Sequence, residues 1–368
     1  MKLLPAGLLL VCLFQLSDVA AESISVRINN APEQGVVVIQ LYDNPSTFGD
    51  FRNPVRETRH PVSADGVYRI TNVPAGEYAV LAYFDENENG ALDRTFIGIP
   101  KEPIALSNNY KPKGPPSFQR ASFRKLDDGE HVLDLEMYSV LGEAGQWGVG
   151  LGVIGRSSPY KGSDTNVVQV IPAITYFGER LQWVGPQLRY GLVGSDQLRL
   201  AVTATYRVGA YEEDDSPILQ GLGDRDNTLM AGIGLVYEGK QGVDVDFRYE
   251  HDVLGRADGG TAALTVSKGF QWGNLRLSPA LGVNWLSSDL ANYDFGVPVA
   301  AALPGRPAYD VGSSINVEAG VSGLYEITEN WRFVLSVSAE FLDSEITDSP
   351  IVADDQVFKG FAALTYTF

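Results

Sequence analysis

Residues 357–368 read VFKGFAALTYTF, and the alternation in this stretch decides the fold. Successive side chains of an extended strand point to opposite faces. Phe358, Leu364, Tyr366 and Phe368 therefore share one face, while Lys359, Thr365 and Thr367 share the other. The first face suits lipid and the second a polar lumen, which is the two-sided pattern of a transmembrane β-barrel strand. In a soluble sandwich the apolar face would need a second sheet to cover it.

Working back from that strand, the same texture reaches to about residue 146. Candidate strands fall at 146–157, 167–178, 181–194, 197–211, 227–240, 241–255, 261–273, 274–290, 313–328, 329–346 and 357–368. Most have ten residues or more, the length a tilted strand needs to cross a bilayer. Tight turns (EGKQG, QWGN, ITENW) alternate with long loops such as EEDDSPILQGLGDRD and 291–312. A single-chain barrel with both termini on one side needs an even number of strands. The segment LQWVGPQLRYGLVG carries Gly185-Pro186 at its middle, and proline cannot donate to a ladder. Splitting there predicts twelve strands, with ten as the alternative. The tryptophans Trp147, Trp183, Trp272, Trp285 and Trp331 suit interfacial girdles.

From Ser23 to about Tyr138 the pattern is that of a smaller all-β unit. SISVRI, GVVVIQLY, GVYRITNV, GEYAVLAYF and HVLDLEMY read as strands, punctuated by Asn29-Asn30, Asp65-Gly66 and Pro74-Ala75-Gly76. Short strands at this spacing predict an immunoglobulin-like β-sandwich over 22–138, joined by a linker at 139–145 to a barrel over 146–368. Ahead of it, MKLLPAGLLLVCLFQLSDVAAES has the form of a secretory signal with a cut after Ala21. The single cysteine, Cys12, lies inside that segment, so the exported chain is expected to hold no disulfide. A net charge of −18 makes nucleic acid an unsuitable partner.

DENENGALD, residues 85–93, is the one metal-like motif. Asp85, Asn87, Asn89, Ala91 through its carbonyl, and Asp93 stand at the spacing of a calcium loop, with Gly90 at the sharp turn. Phe96 occupies the place of the usual bidentate glutamate, and a strand rather than a helix precedes the loop. Two readings stay open: a hard-cation site for Ca2+, completed by Glu86, Glu102 or water, or an Asx turn that caps its own backbone. No other cofactor is implied, and no catalytic residue is singled out. His60, His131 and His251 are the only histidines, and strand geometry turns Glu250 and Asp252 away from His251. Asp164 reads as a turn residue of an outer loop.

Three resemblances extend these readings. Leu364, Tyr366 and Phe368, with the aromatic at the end, resemble the signal that outer-membrane barrel-assembly machinery recognises, which implies that machinery and outer-membrane lipid as partners. The run NVPAGEYAVLAYFDENENGALDRTFIGIPKEPIALSNN, followed by GPPSFQRASFRK, resembles a bacterial exported family known only as domain of unknown function 2141. It implies a fold and a location but no reaction. GVGLGVIGRSSPYKGSDTNVVQVIPAITYFGERLQW, LQGLGDRDNTLMAGIGLVYE, NYDFGVPV, LDSEITDSPIV and FAALTYTF resemble the MipA/OmpV outer-membrane family. That resemblance implies an outer-membrane location with the N-terminal unit in the periplasm of a Gram-negative envelope. It also implies a scaffolding role bridging periplasmic murein enzymes. A small solute channel is the alternative, and an outer-membrane hydrolase the remote one.

Overall fold

The computed structural model describes residues 23–368 except 96–97, 127–128, 143, 164–166, 196 and 240–241. The candidate signal segment with Cys12 lies outside the described residues, as do Phe96 and Asp164.

The N-terminal unit contains β1 (Ser23–Ile28), β2 (Val36–Tyr42), α1 (Pro45–Gly49), β3 (Arg56–Pro61) and β4 (Val67–Thr71). It continues with β5 (Gly76–Asp85), β6 (Ile104–Leu106), α2 (Phe118–Ala121), β7 (Phe123–Lys125) and β8 (Glu130–Leu135). One sheet has the order β4-β1-β8, with β1 and β8 parallel; the other has the order β3-β2-β5-β6, with β7 also on β5. The five strands read from sequence are present. The sequence reading did not include β3, β6 and β7, which are charged or only three residues long.

Two cores share the larger sheet. Val37, Ile39, Leu41, Val80, Ala82 and Phe84 face the smaller sheet and pack on Ile24, Val26 and Ile70. Their neighbours Val38, Tyr42, Ala79, Leu81 and Tyr83 face the other way, onto Phe48, Ile104, Tyr110 and Phe118. β5 is thus buried on both faces, which is why GEYAVLAYF is a continuous apolar run. The second core is closed by α1, where the Asn44 side chain caps Ser46 N and Pro45 supplies the first helical residue.

The barrel contains β9 (Gln146–Arg156), β10 (Val167–Pro172), β11 (Thr175–Phe177), β12 (Leu181–Val184), β13 (Gln187–Gly194), β14 (Leu198–Arg207), β15 (Thr228–Glu238) and β16 (Val243–Asp252). It ends with β17 (Gly260–Lys268), β18 (Phe270–Trp272), β19 (Leu275–Leu286), α3 (Ser288–Phe295), β20 (Ser314–Glu326), β21 (Trp331–Phe341), α4 (Ser344–Thr347) and β22 (Gln356–Thr367). Two staves are interrupted: β10 and β11 both pair with β9, and β17 and β18 both pair with β19. Counted as staves, these make twelve antiparallel strands, closed where β22 pairs with β9 from Lys359↔Arg156 to Thr367↔Gly148. Gly185-Pro186 forms the turn between β12 and β13, and Gly185 has φ +54°.

Alternation sets the two surfaces. Trp147, Val149, Leu151 and Val153 are exposed on the outside, as are Phe333, Leu335, Val337, Phe358 and Leu364, while Lys359, Thr365 and Thr367 turn inward. An apolar band of this kind is the lipid-facing surface of a membrane barrel. Trp147, Trp272 and Trp331 lie at the short-turn end, and Trp285 lies towards the other. Leu81→Ala, cut into the second core, is expected to destabilise the N-terminal unit by about 2–5 kcal/mol, read by urea-dependent proteolysis of the intact protein.

Candidate functional site

Ion pairs cross the lumen. Arg189 pairs with Asp246 at 2.8 Å, and Arg199 pairs with Glu238. Lys359 reaches Glu340 at 2.8 Å and Glu318 at 3.3 Å, and Asn284 donates to Glu318 at 2.8 Å. Thr205 donates to the buried Glu250 at 2.9 Å. Opposite charges meet across an interior of low dielectric, where an unpaired charge would be costly.

At the long-loop end the connections fold into a cap with a core of its own. Tyr160, only 2% exposed, packs with Tyr211, Leu219, Phe295, Val297 and Ile346. Its hydroxyl donates to Asp294 O at 3.1 Å, and Asp294 also pairs with Arg207 at the top of β14. Arg306 is buried and donates to the carbonyls of Ile218, Gln220 and Ala301, tying the β14–β15 and β19–β20 loops together. The Arg225 guanidinium lies over the rings of Tyr211 and Tyr293, at 4.7 and 4.8 Å from their centres. These loops read in the sequence as long and acidic, and this core left no signal there, its apolar residues being scattered over four connections.

The N-terminal unit sits on the short-turn end. Arg52, just after α1, pairs with Glu238 at 3.0 Å and Asp244 at 3.3 Å and donates to Gly239 O at 2.6 Å, on the β15–β16 turn. Asp50 accepts from Arg276 of β19 at 2.5 Å. The Tyr110 hydroxyl donates to Glu326 at 3.0 Å, with Arg120 beside it at 3.6 Å. Ser117 donates to Gly273 O at 3.0 Å, and Lys113 to Thr367 O at 3.3 Å. Gly98 approaches Glu238 so closely that a β-carbon would lie 3.1 Å from Oε1. These partners come from separate turns, so their meeting left no mark in the sequence beyond the Pro- and Gly-rich stretch PKGPPSF.

The Asp85–Asp93 loop is built from hydrogen bonds among its own side chains. Asp85, 2% exposed, accepts from Asn89 N at 3.1 Å and Gly90 N at 2.8 Å. The Asn87 and Asn89 amide nitrogens donate to Asp93 at 2.7 and 2.9 Å, and the Asn89 oxygen accepts from Ala91 N. Glu102 braces the loop from beneath, accepting from Glu86 N and Asp93 N, each at 3.0 Å. Among the described residues no group of three or more His, Cys, Asp or Glu side chains is arranged to hold a metal ion. Ligation by the two asparagines would need their amides turned so that oxygen replaces nitrogen.

Burial pushes the Glu102 carboxyl up to about 7, against the two backbone N–H groups that favour its charged form. The histidines are far apart in role: His131 stacks on Phe123 with ring centres 4.7 Å apart, His60 lies against Tyr68, and His251 is exposed on the outer face. Glu250 and Asp252 are buried on the opposite, inner face.

A closed twelve-strand barrel with a lipid-facing band is an outer-membrane protein by its architecture. Residues 149–368 match the family described as MltA-interacting protein MipA, and residues 26–132 match an uncharacterized family conserved in bacteria, domain of unknown function 2141. The chain belongs to the MltA-interacting protein MipA family and is an outer-membrane β-barrel protein. It is 27% identical over 228 residues to YiaT of Escherichia coli, covering 61% of this chain and 92% of that protein. It is 26% identical over 226 residues to outer membrane protein OmpV of Vibrio cholerae (61% and 87%), and 28% identical over 226 residues to the MltA-interacting protein of Escherichia coli (60% and 89%).

Two outcomes follow from this geometry. A carboxyl whose folded pKa lies above its unfolded value binds protons more tightly when folded, so stability falls as pH rises between the two. The N-terminal unit is therefore expected to lose stability from about pH 4.5 to about pH 7, and Glu102→Gln should flatten that slope in pH-dependent melting. Arg52→Ala leaves Asp244 without its partner and Glu238 with Arg199 alone, and is expected to weaken the seating of the N-terminal unit by about 2–4 kcal/mol. Spin-label distances between the two units would report the loosening.

Proposed function

We propose that this protein is a structural, non-enzymatic scaffold of the cell envelope. The barrel anchors the β-sandwich at the periplasmic side, and the sandwich presents its free sheet to periplasmic partners, murein enzymes among them. The observation that supports this reading is that folded parts of the same chain stand at both ends of the barrel, a packed loop core at one and the seated sandwich at the other. A permeation path would need the outer loop cap and the seated sandwich both to move. The sheet β4-β1-β8 faces away from the barrel and carries the exposed pair Arg27–Asp134 at 2.9 Å, the pair Arg69–Glu130 and exposed Val132. A charged rim around an apolar side chain is a surface suited to a transient protein contact. The family's name and the Escherichia coli MltA-interacting protein point to the murein machinery as the class of partner.

Periplasmic crosslinking with the intact protein and with residues 22–138 deleted tests this. Murein enzymes are expected to be captured only by the intact form; capture of no envelope partner by either form would sink the scaffold. Planar-bilayer recordings of the intact protein are expected to show no conductance, and a steady ionic current would favour the channel instead.

Leu364, Tyr366 and Phe368 are proposed to engage the barrel-assembly machinery, so removing Phe368 should lower the fraction of heat-modifiable, folded barrel in the outer membrane. For the Asp85–Asp93 loop we propose a weak structural Ca2+ site of the kind found in extracellular modules. Calcium, at about millimolar concentration, should raise the melting temperature of the N-terminal unit in the parent and leave Asp85→Asn unchanged.

A further inference from the structure

Between the seated sandwich and the barrel floor lies a chamber of about 400 Å3. Much of its wall is apolar, with Ile99, Pro115, Tyr138, Val140, Phe177 and Leu324 among the lining residues. The charged groups on it are mostly spoken for. Arg52 is paired with Glu238 and Asp244, and Arg276 with Asp50.

Arg332 is different. It lies at the inner end of β21, is 5% exposed, and lines the chamber. Its Nε and Nη2 are buried without a hydrogen-bond partner, and no ion pair joins it to another described residue. Glu326 stands opposite it in the β20–β21 register and attracts it through space, but the Glu326 carboxylate takes its hydrogen bond from Tyr110 and its closest cation is Arg120. On the sandwich side Arg332 meets Gly114, where a β-carbon would lie only 3.2 Å from the guanidinium carbon. The neighbouring Lys113, also on the chamber wall, spends its ammonium on a single carbonyl, Thr367 O.

A buried guanidinium with free donors is costly to keep. Its planar fork matches carboxylate and phosphate oxygens, which accept two parallel hydrogen bonds from it. We propose that the chamber binds a small molecule bearing a carboxylate or phosphate on an apolar body. Arg332 receives the anionic group, Lys113 adds a second positive charge, and the apolar wall takes the body. Because Arg332 belongs to the barrel and Lys113 and Gly114 to the sandwich, such a ligand bridges the two units and tightens their seating.

The test uses the full chain in a nonionic detergent. Thermal unfolding is followed while sodium benzoate or sodium phosphate is titrated in, against sodium chloride at equal ionic strength. At least one of the two anions is expected to raise the unfolding midpoint saturably, benzoate reporting the carboxylate and phosphate the phosphoryl oxygens. Arg332→Met should melt in chloride at the parent temperature or above it, since an apolar chain of similar length replaces a buried guanidinium whose Nε and Nη2 make no hydrogen bond. It should also lose the response, its half-saturating concentration rising at least about tenfold, a shift of about 1.4 kcal/mol or more. Should that variant not assemble, Gly114→Leu, which fills the space beside the guanidinium, is expected to abolish the same response. No saturable rise with either anion, or an equal rise in the variant, overturns the proposal.

Discussion

The pairing of β22 with β9 is the contact on which the rest of the structure depends. Lipid offers no partner for a free N–H or C=O, so a sheet in the membrane must close on itself. Nine residues of β22, from Lys359 to Thr367, meet nine of β9, and the register fixes which side chains face inward. A slip of one residue would put Lys359 in lipid and Phe358 in the lumen. Glycines 148, 150 and 152 on β9 let the two strands approach without side-chain collision: a β-carbon at Gly150 would fall 1.9 Å from Leu364 O.

Closure creates a lumen, and three layers of structure meet it. The outer loops supply a packed cap, the wall strands supply compensated charges, and the sandwich supplies a seat of salt bridges and hydrogen bonds against the turns. The larger sheet of the sandwich is apolar on both faces for this reason. One face makes the sandwich core, while the other builds the platform of α1, α2 and β6 from which Asp50, Arg52, Tyr110 and Ser117 reach the barrel. Every polar contact at this seat joins a residue of the first 138 to one of the last 200 or so, and the chain fold alone brings them together.

Much of the architecture was legible because its physics is periodic. A strand with one face in lipid and the other in a polar lumen must alternate, so the eleven barrel segments stood out, and a proline in the middle of one supplied the twelfth. The continuous run GEYAVLAYF signalled a buried strand for the opposite reason, having no solvent face. The loop at Asp85 was also visible, since its spacing of Asp, Asn and Gly is local chemistry. The cap and the seat were not legible. Tyr160, Phe295 and Ile346 lie up to 186 residues apart, and nothing in the sequence near any one of them points to the others. Arg332 reads on its own as one more lumen-facing charge of β21; that its Nε and Nη2 find no hydrogen bond among the described residues is a property of its neighbours, above all of Glu326 turning to Tyr110.

The seat also imposes an order on biogenesis. The sandwich lies at the front of the chain, and its parts are complete before any barrel strand has been made. Part of its docking surface is contributed by Glu326 and Thr367, which belong to the last three strands to be synthesised. The platform with Tyr110 and Lys113 must therefore wait, folded and undocked, until β22 has sealed against β9. A seated sandwich is in this sense a receipt for a finished barrel, and an unseated one exposes Arg52, Tyr110 and Ser117 to whatever surveys unfinished proteins in the envelope.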